Sequence, residues 1–254
     1  MPQRFIEVGD RTLSVVADGS GETGVILETG LEAPSEWWEA VQSRVAAAAT
    51  VWRYDRAGTG ESSPAEKPRT ADDLLRDLEA VVTALPTPRV VLVGNSLGGA
   101  LARLYAHRHP GGVSGIVLVD SFHAAQFDRI GPMLPAAAVM PAEAQGFHAF
   151  WAGGGWRDPA QNREGADLPS MQRALQAVTT LGDLPLVVLV AGAFLRQAPP
   201  PANARLHRAW LAMQSELASL STAGTLVRVD DSGHFIQRDR PDVVADAIER
   251  VLSV

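Results

Sequence analysis

Three side chains that are far apart in the sequence have the chemical groups, and the neighbouring sequence patterns, that cleavage of an acyl bond requires. The first is Ser96, in a Gly-Asn-Ser-Leu-Gly segment (94–98) between an apolar run, Arg89–Val93, and a stretch that favours helix. A serine at a sharp turn from strand to helix needs small neighbours, and the start of the helix offers free N–H groups. The pattern predicts a nucleophile at Ser96, the alternative being a glycine-rich turn with a capping serine.

The second side chain is a histidine, because a serine hydroxyl is a weak nucleophile and needs a base to take its proton. Of the six histidines, His234 is the best placed, since it follows the last apolar run, Thr225–Val229. A loop after a parallel strand opens at the carboxyl edge of the sheet, where Ser96 is also expected. We therefore expect activity to fall on acidification as His234 is protonated. The alternative is a histidine in a surface loop.

The third side chain is a carboxylate that would orient the imidazole. Asp120 directly follows the apolar run Gly115–Val119, and an acid at that position is poorly explained by solvation. The run Leu186–Val190 is followed by no acid, and the two aspartates just before His234 are very close to it in sequence. Asp120 is thus the predicted third member of a catalytic triad, the alternative being a helix or turn cap.

The elements that must carry these side chains alternate along the chain. Apolar runs predict strands at Arg4–Val8, Arg11–Ala17, Gly24–Glu28, Thr50–Tyr54, Arg89–Val93, Gly115–Val119, Leu186–Val190 and Thr225–Val229. Periodicity and caps predict helices at Ser35–Ala48 (N-cap Ser35), Thr70–Leu85 (capped by Thr70), Ala100–His109, Asn203–Leu220 and Pro241–Val251. This order predicts an α/β fold, with a mostly parallel sheet of about eight strands and helices on both faces.

One segment breaks the alternation. Residues 122–182 contain no strand pattern and are too long for a simple connection, so we interpret them as an inserted helical cap on a core of residues 1–121 and 183–254. The cap is rich in aromatic and apolar side chains, which form a core more often than a ligand site. If some face the cleft, the substrate has an apolar group, and Phe122, Phe147 and Trp151 are candidate contacts. His123 fits a pocket wall and a helix start equally well.

Composition excludes several classes of function. The 254 residues carry a net charge of −7, which disfavours nucleic acid as a partner, and no apolar run is long enough to span a membrane. There is no cysteine, so disulfides and thiolate chemistry are excluded. No secretory signal is visible, and a cytoplasmic location is the default expectation. The expected partner is a small molecule, and the oligomeric state is open.

Four motifs together resemble the α/β-hydrolase superfamily, from near residue 4 to the end. Segment 94–98 is similar to its nucleophile elbow, and Asp-Arg-Ala-Gly-Thr-Gly-Glu-Ser (55–62) to a loop that is structural in the family. Gly-His-Phe (233–235), with Pro241 downstream, is similar to the histidine loop, and Thr-Gly-Leu (29–31) occupies the oxyanion loop. Many members have His-Gly where this chain has Thr29-Gly30, so the hydrogen bonds of that loop must differ.

The resemblance implies acyl transfer by Ser96, Asp120 and His234, with the N–H groups of Leu31 and Leu97 binding the oxyanion. Many members place the acid after the next-to-last strand, so this chain resembles the variant with the acid one strand earlier. No metal or organic cofactor is implied. Lactone opening, C–C bond hydrolysis and perhydrolysis use the same triad, and a receptor that kept the fold is an alternative of another class.

Overall fold

The computed structural model of the protein describes residues 3–254, and its strands form a mostly parallel sheet. The strands are β1 (Gln3–Val8), β2 (Arg11–Asp18), β3 (Thr23–Glu28), β4 (Thr50–Tyr54), β5 (Arg89–Asn95), β6 (Gly115–Val119), β7 (Leu186–Ala191) and β8 (Gly224–Val229). Their order in the sheet is β1-β2-β4-β3-β5-β6-β7-β8. β1 pairs with β2, and β2 with β4, in antiparallel fashion, whereas β3 to β8 run parallel. The predicted fold class is confirmed.

Helices cover both faces of this sheet. They are α1 (Glu39–Val45), α2 (Ala71–Ala84), α3 (Leu97–Arg108), α4 (Gln126–Ile130), α5 (Gln145–Trp151), α6 (Leu168–Leu175), α7 (Pro200–Ala218), α8 (Ile236–Asp239) and α9 (Pro241–Leu252). None of the helices within residues 3–254 is both long enough and apolar enough to cross a lipid bilayer.

The central strands are apolar on both pleat faces because helices bury both. Along β5, Val90 and Leu92 belong to one buried cluster, together with residues of α2, α3 and α6. The alternate residues Val91 and Val93 belong to a second cluster with residues of α1 and α9. Successive side chains of a strand point to opposite faces, so a continuous apolar run is the pattern that a doubly covered strand requires.

The two predicted helix caps had different outcomes. Thr70 caps α2 as predicted, in a capping box with Asp73. The predicted continuous helix at Ser35–Ala48 is instead a 3-10 turn, Ser35–Trp38, followed by α1. Ser35 is not a cap, because its buried hydroxyl accepts a hydrogen bond from Arg53 Nη1 at 3.2 Å. A buried guanidinium on β4 needs acceptors, and Ser35 supplies one.

The segment 122–182 contains short helices and turns and no strand, as predicted, apart from an isolated bridge between Arg69 and Ala166. Its last helix, α6, packs on α2 and α3 through residues such as Met171 and Leu175. The apolar interior of the predicted cap is therefore continuous with the main core. Residues 1 and 2, which the predicted core domain includes, lie outside the described residues.

Candidate active site

The turn between β5 and α3 presents Ser96 at the carboxyl edge of the sheet. Ser96 is the N-cap residue of α3 and has φ +50° and ψ −116°, a backbone conformation that residues other than glycine rarely adopt. Its N–H donates to Val119 O at 3.2 Å, which ties the turn to the end of β6. A serine held in a strained turn at a helix N-terminus is the arrangement of a nucleophile elbow.

Small residues make this turn possible because backbone segments approach it closely. A Cβ added to Gly98 would lie 2.4 Å from the carbonyl oxygen of Glu28, at the end of β3. A Cβ added to Gly94 would lie 2.3 Å from the carbonyl carbon of Gly98. Real Cβ atoms do not approach other atoms so closely, so the glycines at 94 and 98 are steric requirements of the fold.

Asp120 and His234 are joined by a hydrogen bond. His234 Nδ1 lies 2.6 Å from Asp120 Oδ2, and the Asp120 side chain is almost fully buried. The other carboxylate oxygen, Oδ1, accepts from Ala191 N at 3.0 Å and from the indole Nε1 of Trp210 at 2.7 Å. An acceptor at Nδ1 fixes the tautomer whose Nε2 is free to take a proton. Three donors thus hold one carboxylate in place at the end of β6.

The two other aspartates near His234 in sequence are engaged elsewhere. Asp231 lies 2.5 Å from Arg240, and Asp230 lies 2.7 Å from Arg228. The acid in contact with the imidazole is the one at the end of β6.

Ser96 and His234 line the same cavity. Asn95 links the two loops, since its Nδ2 donates to Val119 O at 2.9 Å and to the His234 carbonyl at 3.1 Å. Within the described chain, no hydrogen bond joins Ser96 Oγ to the imidazole. The contact between nucleophile and base is often long in the absence of substrate. The structure therefore brings Ser96 and His234, the predicted nucleophile and base, to one cleft, with Asp120 bonded to the imidazole.

The predicted oxyanion loop lies beside Ser96. A Cβ added to Gly30 would lie 3.3 Å from Ser96 Cβ, and both Leu31 and Leu97 line the cavity. Leu97 is the first residue of α3, where backbone N–H groups have no partner within the helix. The hydroxyl of Thr29, which replaces the histidine of many family members, accepts from Arg56 Nη1 at 3.0 Å.

A buried ionic network lies behind this loop. The guanidinium of Arg56 pairs with Glu28 at 2.6 Å and with Glu164 at 2.7 Å, and all three side chains are almost fully buried. Burial raises the pKa of the Glu28 carboxyl, although Arg56 and a hydrogen bond from Tyr54 act in the opposite direction. Burial also acts to raise the pKa of Glu164, but Arg56 and the N–H of Glu32 outweigh it and hold that pKa below its usual value.

The cavity above Ser96 has a volume of about 560 Å³ and an aromatic lining. Phe122, Phe147 and Trp151, which were predicted to contact substrate, all line it. Further aromatic residues line the cavity and were not predicted; they are Phe127, Phe150, Phe194, Trp210 and Phe235. Charged side chains also reach the lining, namely Glu143, Arg196 and Arg238. Shape and lining suit a substrate with an apolar part.

His123 does not line this cavity, contrary to one of the two readings of the sequence. Its Nε2 lies 3.2 Å from Glu216 Oε2, and its Nδ1 accepts from Ala125 N at 3.1 Å. The imidazole thus faces α7 and the start of α4. Among residues 3–254, no group of three His, Asp or Glu side chains is arranged to hold a metal ion.

Sequence reasoning missed three residues that support the site. Trp210 donates to Asp120 from the middle of α7, where its position on the apolar stripe indicates only a core residue. Glu164 lies in the segment read as a cap, and no local pattern marks it. Asn95 lies within the Gly-Asn-Ser-Leu-Gly segment, and a polar residue directly after an apolar run is the signal in the sequence that could mark it.

The chain is similar to known proteins in sequence and in fold. The YqjL protein of Bacillus subtilis, which is uncharacterized, is 25% identical over 233 residues, covering 91% of this chain and 83% of YqjL. A putative carbamate hydrolase, RutD of Variovorax paradoxus, is 33% identical over 108 residues, covering 42% of this chain and 40% of RutD. The crystal structure of the enol-lactonase from Burkholderia xenovorans LB400 superposes with a TM-score of 0.70 at 19% identity, covering 99% of this chain and 100% of that one.

A family-wide sequence comparison covers most of the chain. The model of the alpha/beta hydrolase family matches residues 23–247, a span that contains Ser96, Asp120 and His234. Together with the eight-stranded sheet and the turn at Ser96, this match identifies the chain as a member of the alpha/beta hydrolase family.

Proposed function

We propose that this protein is a serine hydrolase that cleaves a carboxylic ester, or a similar acyl substrate, bearing an apolar group. The observation that carries the proposal is the 2.6 Å contact between His234 and Asp120 at a cavity that Ser96 also lines. A serine, an imidazole of fixed tautomer and a buried carboxylate at one cleft are the parts of an acyl-transfer site.

The proposed reaction has two steps through an acyl-enzyme. His234 Nε2 takes the proton of Ser96 as its Oγ attacks the carbonyl carbon, and the N–H groups of Leu31 and Leu97 bind the oxyanion. The C–O bond to the alcohol then breaks, and the imidazolium returns the proton to the leaving oxygen. Water, deprotonated by the same imidazole, attacks the acyl carbon and releases Ser96. Asp120 stabilises the imidazolium in both steps.

The cavity favours an apolar group on the substrate. Eight aromatic residues line it, and burying apolar surface contributes roughly 25 cal/mol per Å². The guanidinium groups of Arg196 and Arg238 belong to exposed residues of the lining, where a polar end of the substrate would reach them. We therefore place the apolar part of the substrate among the aromatic rings and any polar part towards solvent.

The Ser96→Ala variant tests the nucleophile. We expect it to keep the fold and to lose ester hydrolysis by at least about 10³-fold, because no other group can form the acyl-enzyme. A fluorophosphonate probe should label the wild type stoichiometrically and should not label Ser96→Ala. The matched control is Ser215→Ala, which removes an exposed hydroxyl of α7 and should label as the wild type does. Equal hydrolysis by Ser96→Ala and the wild type would refute the proposal.

A substrate panel separates the reactions that share this triad. It should contain chromogenic esters of varied acyl length, lactones, a carbamate and a C–C bond substrate, and perhydrolysis should be assayed with peroxide. The carbamate is included because RutD, a partial relative, is a putative carbamate hydrolase. Turnover that is fastest with apolar esters supports the proposal. Probe labelling without turnover of any member would contradict the ester assignment, and no labelling at all would favour a receptor.

A further inference from the structure

The buried side chains of Arg56 and Glu164 form hydrogen bonds with three consecutive peptide groups of the oxyanion loop. Arg56 donates from Nη1 to Thr29 O at 2.6 Å and from Nη2 to Gly30 O at 2.7 Å. Glu164 Oε1 accepts from Glu32 N at 2.5 Å. The loop at 29–32 therefore has its polar groups fixed on the side that faces away from the cavity.

Because a peptide group is planar, hydrogen bonds to the Gly30 carbonyl also fix the direction of the Leu31 N–H, the proposed oxyanion donor. The carbonyl of Gly30 and the N–H of Leu31 belong to one peptide group, and in a trans peptide the two point in opposite directions. Because Arg56 and Ala33 N both bond the carbonyl oxygen, the N–H is directed to the other side. That side is the cavity, which Gly30 and Leu31 line next to Ser96.

Glu164 in turn fixes Arg56. Its Oε2 lies 2.7 Å from Arg56 Nε and its Oε1 lies 2.8 Å from Arg56 Nη2, a bidentate pair that leaves the guanidinium little freedom to rotate. The side chain of Glu164 is completely buried. The neighbouring residue Arg163 donates its backbone N–H to the carboxylate of Glu32, so the two loops bond each other reciprocally.

We propose that Glu164, acting through Arg56 and the N–H of Glu32, is a positioning residue that aligns the Leu31 N–H for the oxyanion. This inference rests on the proposed acyl-transfer function. It also links the segment 122–182 to catalysis in a way that is separate from lining the cavity, because Glu164 contacts the back of the oxyanion loop and is absent from the cavity wall.

The Glu164→Gln variant is the direct test, because the amide keeps one acceptor oxygen but loses the charge and the bidentate pair. The matched control is Asp77→Asn. Asp77 is equally buried and pairs with Arg69 at 2.5 Å and Arg11 at 2.6 Å, but it bonds neither Glu164 nor the loop 29–32. Both variants weaken a buried ion pair, so both should lower the thermal midpoint, and only Glu164→Gln should affect the transition state.

The expected signature is a loss in kcat of about tenfold or more with KM within about twofold, since an oxyanion donor acts in the transition state. Affinity for a boronic acid, which forms a tetrahedral adduct on Ser96, should fall by the same factor as kcat. The pH profile should keep its inflection because His234 is untouched. Unchanged kcat and boronate affinity, a loss confined to KM, or an equal loss in Asp77→Asn would overturn the inference.

A measurement on the wild type keeps the inference testable if Glu164→Gln does not fold. The amide of Glu32 lies in a loop but donates to a buried carboxylate, so its hydrogen exchange should be slowed by at least about 10²-fold relative to an exposed loop amide. Fast exchange at the Glu32 amide would show that Glu164 does not hold the loop 29–32, whether or not the enzyme hydrolyses esters. An inactive wild type with a protected Glu32 would instead count against the proposed function alone.

Discussion

At the scale of single residues, backbone strain is concentrated at the candidate site. Among the described residues, the non-glycine residues with positive φ are Glu32, Ser96 and Asp120, at +57°, +50° and +43°. Glu32 lies in the predicted oxyanion loop, Ser96 is the proposed nucleophile and Asp120 is the proposed triad acid. Strained conformations cost roughly 1–3 kcal/mol each and persist where the surrounding structure holds them. Here the hydrogen bonds of Glu164, Val119 O and Leu189 O supply that support.

The indole of Trp210 gives the first residue-scale prediction. Trp210→Phe keeps an aromatic ring in the cavity wall but removes the Nε1 donor to Asp120. A hydrogen bond to a charged group contributes about 1.5–3 kcal/mol, and we expect kcat to fall by about tenfold as the carboxylate loses alignment. The measurement is steady-state hydrolysis of a good ester substrate by both proteins.

The control for this variant is Trp156→Phe. Trp156 is also buried and stacks on Phe127 at 4.3 Å, but it is not among the described hydrogen-bond partners of Asp120, which are Ala191, Trp210 and His234. It should lose stability without a comparable loss in kcat. If both tryptophan variants lose kcat equally, the hydrogen bond to Asp120 is not what matters.

His123 gives a prediction about stability and pH. Burial and the nearby Arg103 lower the pKa of His123 to about 4, with Glu216 opposing and Arg129 reinforcing the shift. The unfolded chain therefore binds this proton more readily than the folded protein between about pH 6.5 and pH 4, and stability falls as the pH drops through that range. His123→Asn, whose side-chain oxygen can still accept from Ala125 N, should lose less stability over the same range.

The test is the urea midpoint of both proteins at about pH 7 and about pH 4.5. Acidic and imidazole groups away from this position contribute equally to both proteins, so the difference between them reports His123 together with Glu216, which it contacts. Parallel pH dependence in the two proteins would mean that the half-buried imidazole of His123 is protonated as easily as in the unfolded chain.

At the scale of elements, β5, the elbow turn and α3 form the unit that positions Ser96. This unit packs against the end of β3. Gly98→Ala places a methyl group 2.4 Å from the carbonyl oxygen of Glu28, which neither backbone can avoid without moving. We expect a loss of at least about 2–3 kcal/mol of unfolding free energy, or failure to fold, because overpacking forces backbone shifts. Chemical denaturation measures the loss.

Gly146→Ala is the matched substitution in α5. A Cβ at Gly146 would have no atom within 4 Å, and alanine favours helix over glycine by up to about 1 kcal/mol. This variant should be as stable as the wild type or more stable. Equal behaviour of the two glycine variants would show that the approach of α3 to β3 is not close enough to exclude a methyl group.

At the scale of the whole molecule, the predicted cap and the sheet share one apolar interior. Phe127 and Trp156 from the segment 122–182 belong to the same buried cluster as Leu97 and Leu101 of α3. Arg56 and Glu164 add a buried ionic link between the two parts. The segment therefore has no separate core to hold it folded when the sheet unfolds.

This continuity predicts one cooperative unfolding transition. In urea, tryptophan fluorescence should follow the same curve as far-ultraviolet circular dichroism. The fluorescence reports Trp151 and Trp156 in the segment as well as Trp38 and Trp52 in the core. Coincident midpoints are the expected result. A fluorescence change that precedes the loss of secondary structure would show that residues 122–182 unfold independently.

Local sequence patterns predicted the strands and the elbow turn, and they nominated the three residues of the proposed triad. Strands on both sides of the site were predictable to within a residue or two because burial on both faces leaves an uninterrupted apolar run, as in β5 and β6. The turn around Ser96 was predictable because the close approach of β3 permits only glycine at 98. These signals can be read from a few neighbouring residues, although the burial and the close approach that explain them involve distant parts of the chain.

Tertiary structure alone decided which distant groups meet. Three contacts join residues about 90 to 110 positions apart, namely Trp210 with Asp120, Glu164 with Arg56, and His123 with Glu216. Such contacts depend on how helices and loops pack over the sheet, and neither periodicity nor spacing encodes them. Sequence thus determined which side-chain types are available for the proposed chemistry, and packing determined which of them lie together at one cavity.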